Sequence, residues 1–227
     1  MSEDRSVFDL TAQPSNELLR YGQFPDQLIE RFGNQSEKKV ALIHGGYWRP
    51  EYDRVHLRPF AVALAESGIN VFLIEYRREP GNPDATLEDI SAAIELIGEC
   101  SLIGHSAGGH LALLAEKLAQ VQSVIALAPV SDLAKGEARN LDEGAIQFFL
   151  GAPAGEREDL DPARIGSFSK PVIIIHGDND LRVPVELSRD FAKKFLEIQY
   201  LELPSIGHFE LIDPRCRYFQ ETLLPLL

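Results

Sequence analysis

Short runs of consecutive apolar residues alternate along this chain with stretches whose apolar positions repeat at helical spacing. The runs are "KKVALIHGG", with a strand expected at Val40–His44, then "INVFLIEYR", "LIGH", "SVIALAPV", "PVIIIHGDND" and "IQYLELP". The helical stretches between them are "HLRPFAVALAESG", closed by Gly68, then "PDATLEDISAAIELIGE", with Asp84 or Thr86 as the expected N-cap, "HLALLAEKL", "VPVELSRDFAKKFLE" and a final "DPRCRYFQETLLPLL". Apolar runs of strand length with no polar alternation are buried on both faces, and strands separated by helices build parallel pairs. The pattern therefore predicts an α/β protein with a mostly parallel central sheet and helices on both faces. Residues 131–170 break the rhythm, with five glycines among aromatic and acidic residues. That stretch is too long for an ordinary crossover and is expected to be a small cap or lid insertion. The first 39 residues carry little pattern beyond one edge strand near Gln27–Phe32.

Composition narrows the class. A chain of 227 residues, 44% hydrophobic and 25% charged, is expected to fold as one domain, 1–227, with a sizeable core. A net charge of −13 excludes a nucleic-acid surface and attraction to anionic lipid. Cys100 and Cys216 have no paired-cysteine spacing and are expected to be free thiols in a reducing compartment. The acidic, polar start "MSEDRSVFDL" is not a secretory signal, and no apolar run is long enough to span a bilayer, so a cytoplasmic location is expected.

The polar residues that interrupt the strand ends carry the chemistry. Gly104-His105-Ser106-Ala107-Gly108 spells G-x-S-x-G between a strand and a buried helix. A chain that passes directly from strand to helix must strain its turn residue, and neighbouring glycines make such a turn sterically possible. His44-Gly45-Gly46-Tyr47-Trp48 ends the first strong strand, Asp178 and Asp180 follow "VIIIH", and His208 follows the last strand. A serine hydroxyl becomes a nucleophile when a histidine takes its proton, and a carboxylate fixes that histidine's tautomer. The oxyanion formed needs N–H donors: Ala107, next to the serine, supplies one, and the glycine turn after His44 supplies others. Asp178 and Asp180 both remain open as the acid on spacing alone. His105 is expected to pack beneath the turn, His110 to lie one turn into the helix, His44 to anchor the glycine loop, and His176 to end a buried strand. None of them shows metal-ligand spacing on a helix, so no metal is expected. Arg77 and Arg78 are read as surface or ion-pair residues, and Phe148-Phe149 as the insertion's own small core.

Together "HGGYW", "GHSAGGH", "HGDNDLRVP" and "GHFELI" resemble the α/β-hydrolase superfamily on its esterase and lipase side, over roughly Tyr21 to the C-terminus. Within it, HGG-x-W at His44–Trp48 and H-F-E at His208–Glu210 are most similar to the serine-dependent kynurenine formamidases. The resemblance implies Ser106 as nucleophile, Asp180 as acid and His208 as base, with the amides of Gly46, Tyr47 and Ala107 as the oxyanion hole. Tyr47 replaces the third glycine of the usual esterase loop, so its ring is expected to narrow the acyl pocket, and Trp48 to form a pocket wall. The implied activity is hydrolysis of a small amide or ester through an acyl-enzyme, with water as second substrate and no cofactor. N-Formyl-L-kynurenine is the implied substrate, and short-chain acyl esters are the alternative. A non-catalytic binding protein of the same fold is disfavoured because all three triad positions are filled.

Overall fold

Residues 3–33 and 36–227 are described in a computed structural model. Eight strands run through it: β1 (Glu17–Arg20), β2 (Leu28–Phe32), β3 (Lys39–Ile43), β4 (Asn70–Ile74), β5 (Cys100–His105), β6 (Val121–Leu127), β7 (Val172–Gly177) and β8 (Gln199–Leu203). Six α-helices accompany them: α1 (Arg58–Glu66), α2 (Pro83–Ile97), α3 (Ala107–Ala115), α4 (Leu133–Ala138), α5 (Ala145–Leu150) and α6 (Glu186–Lys194). The strands form one sheet in the order β1-β2-β4-β3-β5-β6-β7-β8. Pairing is antiparallel at β1–β2 and β2–β4 and parallel everywhere else.

Side chains alternate across a strand, and here both sets are buried. Ala41 and Ile43 of β3 enter one core, with α2, α3 and α6 packed over it. Val40 and Leu42 enter the other, covered by α1 and by the C-terminal segment through Phe219 and Leu223. This two-sided burial is why the central strands lack polar alternation. The strand expected near Gln27–Phe32 is β2, but it is not an edge: β1, mostly exposed over Glu17–Arg20 so that its "ELLR" carries no burial signal, pairs beyond it and forms the edge.

Three local expectations are corrected. The N-cap of α2 is Asn82, with Pro83 as the first helical residue. Thr86 instead donates to the Arg77 carbonyl, and Asp84 pairs with Arg157 across the surface. The final helix contains a wide π turn over Phe219–Leu223 and ends in a 3₁₀ turn at Leu224–Leu226, which contains Pro225, a residue with no N–H to donate. Residues 131–170 form α4, α5 and several 3₁₀ turns whose apolar residues, Leu133, Ile146, Phe149, Leu150 and Leu160 among them, join the core beside α3. The free thiols sit as expected, Cys100 buried and Cys216 half-buried.

His110, in the second turn of α3, is fully buried with its ring edge-on to Trp48 and Phe149. Loss of hydration lowers its pKa to about 4 from the ordinary 6.5, with the bond to the Leu160 carbonyl offsetting part of the shift. The unfolded chain takes up this proton below pH 6.5, and the folded chain refuses it until about pH 4. Stability from this residue is therefore whole above pH 6.5 and drains away as the pH falls through that window. Urea unfolding at pH 7, 6 and 5 is expected to give a slope that His110→Gln reduces by up to about 1.4 kcal/mol per pH unit. Equal slopes in the two proteins would contradict the shift.

Candidate active site

Ser106 sits between β5 and α3 with φ 58° and ψ −120°, a strained left-handed conformation for a residue with a side chain. Its neighbours explain how the turn is tolerated. A Cβ on Gly104 would lie 2.2 Å from the carbonyl oxygen of Gly108, and one on Gly108 would lie 2.2 Å from that of Ile43. Glycine is thus required where strand, turn and helix meet. Parallel pairing of β3 with β5 brings the loop after Ile43 against the same turn. A Cβ on Gly45 there would be 2.9 Å from the Ser106 Cβ.

The other two sequence-predicted residues come from loops after β7 and β8. His208 Nδ1 lies 2.6 Å from Asp180 Oδ2, and both side chains are almost wholly buried. Asp180 Oδ1 accepts from the backbone amides of Arg182 and Val183 at 2.7 and 2.8 Å. Burial alone would raise the Asp180 carboxyl. The charge of His208 and hydrogen bonding from His176 and His208 outweigh it and hold the group well below the usual carboxylate range. Asp178 points elsewhere, accepting from the Ser205 amide to close the loop after β8.

Ser106 and His208 open onto one cavity of about 440 Å³, which Gly46 and Tyr47 also line. The amides of Gly46 and Tyr47 donate to no other group among the described residues, and Ala107, first in α3, has no intrahelical acceptor. Three N–H groups of the two adjoining turns thus have no acceptor among the described residues. The Tyr47 ring is tethered through its hydroxyl to the Arg182 carbonyl at 3.1 Å, and burial foremost raises its pKa.

Trp48 does not form a pocket wall. Gly46, Tyr47 and Trp48 all have positive φ, and this coil turns the indole away from the cavity. It is 1% exposed, stacked on Phe149 at 4.7 Å. His105 lies beneath the turn as expected, its ring 4.5 Å from that of His208 and its Nε2 donating to the His208 carbonyl. Burial pushes its pKa well below the ordinary value.

Several site residues were not foreseen. The N-terminal 3₁₀ turn (Ser6–Asp9) roofs the cavity: Arg5, Val7, Phe8 and Leu10 all line it, with Phe8 edge-on to Phe209 at 4.8 Å. Glu3 anchors this segment on Arg182 at 2.8 Å. The only signal was three apolar residues among charged ones, too short for periodicity to register. From residues 131–170 only Asp142 reaches the cavity, and the segment's apolar residues pack into the core beside α3 in place of capping the site. A second unforeseen set holds the glycine loop. His44 bonds to Glu75 at 3.1 Å and stacks on Tyr76, whose hydroxyl donates to the His44 carbonyl. Glu75 also pairs with Arg54 and Arg78. Burial would raise this carboxyl, but His44 and the arginines hold it far below its ordinary range. Arg78 is thus an ion-pair residue, as is Arg77 through Asp89. Among the described residues no group of three or more His, Cys, Asp or Glu side chains is placed to hold a metal, and no helix is long and apolar enough to cross a membrane.

The strand order, the strained serine turn and the loop-borne acid and histidine define the α/β-hydrolase fold. Residues 29–195 match the BD-FAE family model, and the chain belongs to that family. It is 27% identical to Esterase LipC of Mycobacterium tuberculosis, over 85% of this chain and 59% of that one. It is 28% identical to the probable carboxylic ester hydrolase LipM of the same organism, over 75% of this chain and 49% of that one. The chain thus spans 49% to 59% of the length of these curated relatives. Esterase B of Lactobacillus rhamnosis superposes with a TM-score of 0.80 at 20% identity, covering 98% of this chain and 87% of that one, a likeness of fold.

Replacing Gly104 by alanine is expected to cost about 3 kcal/mol, at the upper end of overpacking effects, because the new methyl meets only backbone. Gly155→Ala, where a Cβ would meet nothing within 4 Å, is the matched control. Denaturant midpoints that fall equally in both would refute the packing argument.

Proposed function

We propose that this chain is a serine carboxylesterase for esters of small acyl groups, working through an acyl-enzyme. The observation that carries the reading is the shared cavity, lined by Ser106, the Asp180-backed His208 and the residues of two unbonded amides, Gly46 and Tyr47. Ser106 Oγ attacks the ester carbonyl carbon while His208 Nε2 takes its proton. The carbonyl oxygen, now negative, is held by the amides of Gly46, Tyr47 and Ala107. As the intermediate collapses, His208 returns that proton to the departing alcohol and the acyl group stays on Ser106. Water then attacks the acyl carbon, again losing its proton to His208, and the acid leaves as Ser106 recovers its hydrogen. Asp180 holds the imidazole with Nδ1–H toward itself throughout and stabilises the imidazolium.

Two observations favour an ester over the arylformamide that the motifs suggested. The curated relatives are named as ester hydrolases. Trp48, the aromatic residue of HGG-x-W, lies in the core and is not placed to hold an aryl group. Phe209 of H-F-E does line the cavity, so the formamide remains the second substrate to assay.

On p-nitrophenyl acetate the wild type is expected to show burst and steady-state turnover, and Ser106→Ala to lose at least about a thousandfold in kcat. N-Formyl-L-kynurenine assayed beside it is expected to turn over far less efficiently; a reversed preference would reinstate the formamidase reading, and undiminished activity in Ser106→Ala would end both. Tyr47 lines the cavity at a φ of 51°, a conformation glycine adopts freely, so Tyr47→Gly should fold. That variant is expected to raise the ratio of hexanoate to acetate kcat/KM about tenfold or more. An unchanged ratio would show that the ring does not set acyl length.

A further inference from the structure

Asp180 does not face His208 alone. Its Oδ2 also lies 3.2 Å from Nε2 of His176, the next-to-last residue of β7, and both side chains are wholly buried. The same Nε2 is 3.0 Å from the Val183 carbonyl oxygen. Both neighbours can only accept, so the proton must sit on Nε2. On the other side of the ring, Nδ1 is 2.7 Å from Oγ of Ser188, which is buried in the first turn of α6. With its proton on Nε2, the ring accepts at Nδ1 from the Ser188 hydroxyl. A directed chain results, Ser188 to His176 to Asp180, ending at the carboxylate oxygen that takes the His208 Nδ1–H.

We infer that His176, oriented by Ser188, is a positioning residue for the proposed reaction that sets the basicity of His208 through Asp180. The inference rests on the reading of Ser106, His208 and Asp180 as a triad. Its physical content is the sharing of one oxygen. A donor on Oδ2 from His176 withdraws charge from the carboxylate, so Asp180 stabilises the imidazolium of His208 less strongly. The four contacts on Asp180, two amides and two imidazoles, also fix its plane. Among other charged groups near the site, Arg5 and Asp142 line the same cavity, Asp178 accepts from the Ser205 amide and Glu210 from the Gly207 amide. Glu202, level with His176 on β8, is engaged by Arg189, and Arg182 by Glu3. His105 packs on the His208 ring, and His56 lines the far side of the cavity.

The test is the pH dependence of kcat/KM on p-nitrophenyl acetate. His176→Phe keeps a flat buried ring and removes the donor, and the acid limb is expected to move to higher pH by about one unit. Rates on that limb then fall about tenfold. Ser188→Ala, a milder change that carries the test if His176→Phe does not fold, is expected to move the limb the same way by less. His176→Gln retains an N–H near the position of Nε2 and should restore the wild-type limb. A merely structural role would lower kcat and leave the limb in place in every variant, and that result overturns the inference alone, provided Ser106→Ala is inactive. Activity surviving in Ser106→Ala overturns the triad reading and this inference with it.

Discussion

The site depends on one close approach, in which the loop after β3 lies directly against the strand–turn–helix at Ser106. Glycine at 45, 104 and 108 lets three backbone segments come within contact distance where any side chain would collide with a neighbouring carbonyl or with Ser106. The parallel pairing of β3 with β5 brings the two segments out at the same end of the sheet. Because of that approach, the unbonded amides of Gly46 and Tyr47 and the N-terminus of α3 share a space with the serine. Its cost is local strain, visible as positive φ at Tyr47, Trp48 and Ser106, which only a well-packed surround can hold.

Part of that surround is a buried cluster of charges behind the loop. Glu75 bridges His44, Arg54 and Arg78, and Glu30 binds Arg54 and Arg58. A buried ion pair adds little net stability over apolar packing, yet loss of one partner leaves an uncompensated charge. What the cluster supplies is direction: a single carboxylate, fixed by two guanidiniums, holds the imidazole that turns the glycine loop toward the serine. Packing alone would leave a loop of two glycines freer to rotate.

The central strands were legible because their burial on both faces removes polar residues from the pattern. Ser106, Asp180 and His208 were legible as positions because polar residues at the carboxyl ends of such strands stand out against it. Other features depend on contacts that spacing does not encode. β1 is exposed and offers no periodicity, and the N-terminal turn is a few residues long. Trp48 follows the loop in sequence, yet three left-handed residues in succession send it into the core. His176 reads as one more buried strand residue. Its approach to Asp180 four positions later arises from the turn after β7 folding back on the strand end, a geometry outside both helical and strand periodicity.

The roof of the cavity and its histidine come from opposite ends of the chain. Arg5 and Phe8 meet Phe209, and Ser6 takes a hydrogen bond from Arg215, about two hundred positions away. Such contacts join segments about two hundred positions apart, so forming them carries the closure entropy of a very long loop. The cavity thus takes one wall from each of two segments far apart in sequence, and the site is complete only where both are docked.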